Sequence, residues 1–309
     1  MSLPMQGKIA EVYEPMRYLM ALGGKRFRPQ LAVLAATMLG ARLEDTLRPA
    51  LAVEVFHNFS LMHDDIMDKA PLRRGQATVH ERWNTNIAIL SGDAMLVKAY
   101  ELLEDLPSAI LGPVLRDFNR AGLGVVEGQQ LDMNYEAAVE VTMPDYLEMI
   151  RLKTAVLVGF ALQLGGRLAQ AQPETCAQLY GAGVQMGIGF QLYDDYLDVF
   201  GDPALVGKQP GGDILSCKKT FLPLFALSKL TGLEHGAFRK LYQGNELPPN
   251  DKVRLVTAQL HAAGADAACL AESARYYQAG LALLEGIEGA AEPKAMLIEL
   301  CKQLMYRSS

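Results

Sequence analysis

The chain has 309 residues, half of them hydrophobic and 21% charged, with a formal net charge of −6 at pH 7. That balance predicts a compact globular protein without a disordered tract, and its acidic excess argues against a nucleic-acid partner. Cys176, Cys217, Cys269 and Cys301 are scattered with no Cys-x-x-Cys pair, so neither a zinc site nor a disulfide framework is indicated and a cytoplasmic location is expected. The longest apolar runs, such as 154–166, are too short to cross a bilayer, so no membrane span is expected.

In chain order, Ile9, Val12, Met16, Leu19 and Met20 recur at helical spacing and predict an amphipathic helix over 7–22, ended by Gly23-Gly24. Lys25-Arg26-Phe27-Arg28-Pro29 then places three cations before the apolar run 31–39 of a second helix. Read alone this is a solvated basic loop, although helix N-termini also receive anions on their orphan amides. A long helix over 43–69 carries Leu51, Val55, Asn58, Met62 and Asp65 on roughly one stripe, and Pro71 stops it. The segment 71–78, with Arg73 and Arg74 adjacent, reads as a loop.

Further long helices are predicted over 79–106, 107–131, 144–169 and 173–200. Lys153-Thr154 lies inside the third of these, where a lysine reads first as a snorkelling surface residue. In the last, Gly181, Gly183, Gly187 and Gly189 suggest close approach of a neighbouring helix. A Gly- and Pro-rich loop over 201–213 contains Lys208, and Lys218-Lys219-Thr220 leads into shorter helices over 221–230, 236–242, 251–262, 267–284 and 293–306. No sustained strand alternation occurs, so the chain reads as one all-α domain of about ten or more helices.

Two clusters stand out. Asp64-Asp65-x-x-Asp68 and Asp194-Asp195-x-x-Asp198 share one spacing, lie 130 positions apart, and are both flanked by large hydrophobic side chains. On a helix, Asp64 and Asp68 share a face, as do Asp194 and Asp198, with Asp65 and Asp195 about a quarter-turn round. A single cluster reads as a solvated face. Two of identical spacing among apolar residues predict a paired site for hard cations, and Mg²⁺ suits it because it takes one or two carboxylates plus waters and phosphate oxygens. His63 could join as a ligand, but as a helix side chain it is expected to point elsewhere.

Gly24-Lys25-Arg26-Phe27-Arg28-Pro29, the two Asp motifs, Leu72-Arg73-Arg74-Gly75, Lys153-Thr154, Gly189-Phe190-Gln191, Gly207-Lys208 and Lys218-Lys219-Thr220 together resemble, in order and spacing, the motifs of the trans-isoprenyl diphosphate synthases, the polyprenyl synthetase family. The resemblance covers 23–223. It implies a single isoprenoid synthase domain over 1–309, an all-α bundle around a deep central cavity, that condenses an allylic diphosphate with isopentenyl diphosphate. Asp64, Asp68 and Asp194 resemble the main ligands of three Mg²⁺ ions, with Asp65, Asp195 and Asp198 in support. Lys153, Thr154, Gln191, Lys208, Lys218 and Arg73 resemble contacts of the allylic diphosphate. Lys25, Arg28, His57 and Arg74 resemble the isopentenyl diphosphate pocket, while Arg26 and Lys219 are left as surface charges.

The family also implies a homodimer, although the apolar stripes over 94–103 and 114–125 serve equally as internal core. Phe59 and Ser60, five and four positions before Asp64, resemble the pattern of short-chain synthases making geranylgeranyl diphosphate. Phe59 reads either as the floor that stops the chain or as ordinary core; aromatics at both positions would resemble a farnesyl enzyme. One departure is present: many members have Gly before the residue matching Lys218, where this chain has Ser216-Cys217. A terpene cyclase would not need Lys25, Arg28 and Arg74, and a non-catalytic synthase subunit would be expected to have lost an Asp or Lys that is kept here.

Overall fold

The structure is a computed structural model that describes residues 5–202, 211–244 and 246–305. Among these the regular secondary structure is helical apart from one pair of two-residue strands. Its packing gathers into two compact units, each discontinuous in sequence: one takes residues up to 120, 160–180 and 287–297, and the other takes 121–159, 181–286 and 298 onward.

The first unit holds α1 (Ala10–Ala21), α2 (Phe27–Met38), α3 (Leu43–Met67), β1 (Leu72–Arg73), β2 (Gln76–Ala77), α4 (Val79–Arg82) and α5 (Thr85–Glu101). Helix α3 packs on α5 and α2, and α1 packs on α5. The core around α3 is aromatic: Phe118 touches Phe56 at 5.3 Å, Phe160 at 5.4 Å and Tyr100 at 4.9 Å between ring centroids. Fully buried rings of this size contribute about 1.5–3 kcal/mol each.

Two expectations needed correction here. The loop over 71–78 is a hairpin, with Leu72 opposite Ala77 and Arg73 opposite Gln76. Arg74 (φ 53°) and Gly75 (φ 75°) both take left-handed backbone, the signature of the tight turn whose twist matches the strands. The predicted helix over 79–106 is broken, because Asn84 is extended (φ −171°) and its side chain accepts from the amide of Ile87, capping a new helix.

In the second unit, α6 (Ser108–Ala137) supplies 121–137 and runs beyond its predicted end. Helix α7 (Met143–Ile150) opens on a capping box between Thr142 and Asp145. The expected single helix 144–169 is instead α7, a π-helical turn over Arg151–Ala155, and α8 (Val156–Leu168). That turn carries Lys153 and Thr154. It lies so close to α6 that a Cβ on Gly128 would sit 2.2 Å from the Lys153 amide nitrogen.

Helix α9 (Pro173–Phe200) has its predicted bounds. It meets its neighbours backbone to backbone at Gly183 against Gly159, Gly187 against Ala155 and Gly189 against Ser273, while Gly181 makes only ordinary contact with Leu283. The short α10 (Gly212–Leu215) precedes α11 (Phe221–Lys229), α12 (Gly232–Gln243), α13 (Pro249–Ala262), α14 (Ala265–Glu285) and α15 (Ala291–Met305). Helix α11 packs on α13 and α14, and α12 packs on α13.

Candidate active site

Each acidic motif sits at the C-terminal end of its helix. Asp64 and Asp65 fall in the last turn of α3 with Asp68 as its cap, and Asp194, Asp195 and Asp198 occupy the last two turns of α9. Neither helix has a basic residue in its last turn. Carboxylates at the negative end of a helix dipole repel it as well as one another, so both ends favour a cation. Their chemistry is all-oxygen. Among the described residues no three His, Cys, Asp or Glu side chains form a cage by themselves; a hard ion that fills its shell with water and phosphate oxygens fits such motifs.

The hairpin decides what the α3 acids do. Its turn sends Arg73 back to Asp65, which it grips through two bonds of 2.8 Å, with Asp64 at 3.8 Å. Asp65 is buried, Asp64 half-buried and Asp68 exposed. The burial of Asp65 raises its pKa more than Arg73 lowers it. His63 turns away from the motif: its ring lies 3.2 Å from the carbonyl of Ile89, against Gly92, and packs on Phe59.

Arg74 points the other way from the same turn and donates to the carbonyl of Gly23. At Gly24 (φ 131°) a Cβ would meet its guanidinium at 2.8 Å, so only glycine lets Arg74 lie there. Arg28 is buried at the start of α2, its guanidinium 4.6 Å from the Phe27 ring centre, while Lys25 is exposed. His57 is held well below its ordinary pKa, first by burial and then by Arg28, Arg73 and Arg74. The charges of Arg28, Arg73 and Arg74 acting on this buried ring give the region a positive potential that suits an anion. Arg26 is more than a surface charge, since it donates to the carbonyl of Met20 at 3.0 Å. Ser60 bonds the carbonyl of His57 at 2.8 Å, and Phe59 packs on Phe56 at 5.4 Å.

In the second unit a cavity of about 100 Å³ is lined by Asp132, Lys153, Thr154, Gln191, Asp195 and Lys218 among others. The π turn presents Lys153 to Asp132 at 2.6 Å, and Lys218 lies 3.8 Å from the same carboxylate. Thr154 donates to Gln191 at 3.0 Å, Gln191 donates to Asp195 at 2.9 Å, and Tyr146 donates to the other Asp195 oxygen. Burial, then the charge of Asp213, pushes Asp195 well above the ordinary carboxylate range, and burial, then the charge of Asp195, pushes Tyr146 well above the ordinary phenol value. Asp198 accepts from the amide of Asp213 at 2.9 Å, while Asp194 is half-buried. Lys219 caps α6 at the carbonyls of Tyr135 and Glu136. Lys208 lies outside the described residues.

Residues 9–260 match the polyprenyl synthetase family. The chain belongs to that family. It is 41% identical over 222 residues to a geranylgeranyl diphosphate synthase of Methanosarcina mazei, spanning 71% of this chain and 68% of that one. A crystal structure of a geranylgeranyl pyrophosphate synthase matches it with a TM-score of 0.93 at 41% identity, over 99% of this chain and 94% of that one. The Corynebacterium glutamicum geranylgeranyl pyrophosphate synthase, complexed with isoprenyl diphosphate and magnesium, matches at 0.87 and 29% identity, over 96% and 91% of the two chains. This polyprenyl synthetase is therefore a trans-prenyltransferase.

Three residues of this polyprenyl synthetase escaped the sequence reading. Asp132 holds both lysines, Tyr146 holds Asp195, and Asp213 holds Asp198. For Asp132 a faint signal existed: Glu127, Gln129, Gln130 and Asp132 interrupt an apolar helix without explanation. Tyr146 offered none, because a tyrosine in a helix reads as core.

Proposed function

We propose that this chain condenses an allylic diphosphate with isopentenyl diphosphate to give a short-chain product, geranylgeranyl diphosphate, with Mg²⁺ as cofactor. The observation that carries the reading is the placement of both acidic motifs at cation-seeking helix ends, together with the positive charge of Arg28 and Arg74 near the buried His57, which suits a metal-free anion. Asp64, Asp68 and Asp194 are the ligands to which we assign Mg²⁺, with three ions as the family pattern suggests. When bound, Mg²⁺ supplies positive charge that stabilises a departing diphosphate.

The side chains divide the rest of the work. Arg73 fixes Asp65 and with it the end of α3, while the Tyr146–Asp195–Gln191–Thr154 chain of hydrogen bonds fixes one wall of the small cavity. Lys153 and Lys218, held by Asp132, present cations to the allylic diphosphate as its carbon–oxygen bond ionises, with Lys208 as a third. Lys25, Arg28, His57 and Arg74 orient isopentenyl diphosphate, whose double bond attacks the cation. No side chain of the motifs is a ready base for the proton then lost, so we assign that role to the released diphosphate. Phe59 is the proposed floor, with Ser60 beside it. Because neither unit is continuous in sequence, 1–309 is read as one isoprenoid synthase domain. We read the protein as a cytoplasmic homodimer. No helix among the described residues is long and apolar enough to cross a membrane.

Incubation of the protein with Mg²⁺, isopentenyl diphosphate and allylic diphosphates of several lengths tests the proposal. Diphosphate release with a C20 product is expected; a mixture lacking any release would sink the synthase reading, and a C15 or longer main product would replace the chain-length assignment.

A further inference from the structure

Cys217, directly before Lys218, has a backbone that would suit glycine: φ is 55°, in the left-handed region. A cysteine there bears a steric cost that glycine would not, so its side chain must return something. Besides a long 4.0 Å contact to the carbonyl of Leu215, the sulfur has two closer partners. It donates to the carbonyl of Tyr242 at 3.2 Å and accepts from the ammonium of Lys252 at 3.2 Å.

Lys252 makes this more than a lone thiol. It is only 3% exposed, and among the described residues its ammonium has one recorded hydrogen-bond partner, the Cys217 sulfur, and no carboxylate within ion-pair distance. A buried ammonium calls for negative charge beside it, and an ammonium at hydrogen-bond distance stabilises charge developing on sulfur as it attacks. Access is open on the other side. Cys217 is half-exposed and borders a groove of about 500 Å³ with Lys219, Phe221, His235, Arg239 and Tyr242. The other cysteines, Cys176, Cys269 and Cys301, are buried.

We propose that Cys217 is a thiol modification site for hydrogen peroxide, activated by Lys252. The sulfur attacks one peroxide oxygen, an S–O bond forms as the O–O bond breaks, and the departing hydroxide takes up the thiol proton as water. Sulfur is oxidised by two electrons to the sulfenic acid, and peroxide is reduced. The consequence reaches the neighbouring lysine. Tyr242 holds the carbonyl of Lys218 through its hydroxyl at 2.5 Å and the Cys217 sulfur through its own carbonyl, so an added oxygen disturbs both anchors of the turn that aims Lys218 at Asp132. This last step rests on the proposed role of Lys218; the modification itself does not.

The experiment has two arms. Peroxide followed by a sulfenic-acid probe, and separately iodoacetamide, are applied to the folded protein and mapped by peptide mass spectrometry, comparing wild type with Lys252→Met. Cys217 is expected to react at least about tenfold faster than the three buried thiols, and to slow by a similar factor in Lys252→Met. In the second arm, prenyl transfer is followed before and after peroxide. Wild type loses activity through a raised KM for the allylic diphosphate and regains it with dithiothreitol, whereas Cys217→Gly, and the double variant Cys217→Gly/Lys252→Met that also removes the buried charge, keep whatever basal KM the lost Tyr242 contact leaves them and do not respond to peroxide. Equal labelling of all four cysteines, no dependence on Lys252, or parallel inactivation of wild type and Cys217→Gly each overturns the proposal. If prenyl transfer is absent altogether, the synthase reading fails, and the labelling arm still decides the chemistry at Cys217.

Discussion

Gly128→Ala is the smallest change that reaches Lys153. The new methyl would sit 2.2 Å from the Lys153 amide nitrogen, 2.6 Å from its Cα and 2.7 Å from the Leu152 carbonyl carbon, all rigid backbone. Ordinary contact begins near 3.4 Å, so α6 and the π turn must part by about 1.2 Å. Overpacking of this kind costs about 1–3 kcal/mol, offset by about 1 kcal/mol from replacing a helical glycine with alanine. The net loss of stability is therefore about 0–2 kcal/mol, and the protein folds. Function suffers more, because a displacement near 1 Å at a positioned charge costs about 100-fold in rate. Steady-state kinetics with varied allylic diphosphate, beside a urea melt, measures both. Gly181→Ala is the control: its methyl meets Leu283 at an ordinary 3.6 Å and should stabilise helix α9 by up to about 1 kcal/mol. A Gly128→Ala enzyme with kcat/KM within twofold of wild type would refute the claim that the π turn positions Lys153.

Asp64→Ala and Asp194→Ala should each abolish turnover while circular dichroism shows an unchanged helical fold; near-normal activity in either would overturn the metal-ligand assignment. Phe59→Ala should cost about 3–5 kcal/mol, since it strips a buried ring from Phe56 and His63, and should lengthen the product on chromatography; an unchanged length would leave Phe59 as core only. His57 makes stability depend on pH. Its folded pKa lies below the ordinary 6.5, so in the window beneath 6.5 the unfolded chain takes up a proton that the folded one refuses, and stability falls as pH falls. The loss should develop as pH falls through the ordinary histidine range, and a His57→Gln variant whose urea melts show the same acid limb as wild type would contradict it.

The helices were legible because their apolar positions repeat, and α9 could be bounded to the residue from Pro173 and the Gly201-Asp202-Pro203 punctuation. The acidic motifs were legible because their charge contradicts their setting. What remained hidden had local or distant causes. The break at Trp83-Asn84 depends on one side-chain cap, and the hairpin on a left-handed Arg74-Gly75 turn too short to leave a strand pattern. The π turn follows from the helix it packs against at Gly128. Asp132 has its meaning only through lysines 21 and 86 positions away, a pairing that periodicity along the chain does not encode.

The carboxylates that end α3 and α9 have a cost outside the reaction. Even with Arg73 on Asp65 and hydrogen bonds to Asp195 and Asp198, carboxylates clustered at the negative end of a helix dipole oppose that dipole, so the fold is held below the stability its packing would allow. Whatever settles that charge is a folding ligand, and adds stability in proportion to the logarithm of its concentration over its dissociation constant. Substrate supply then sets not only how fast the enzyme works but how long each molecule survives: a cell short of prenyl diphosphates keeps the more fragile form, and one well supplied protects the catalyst it is using.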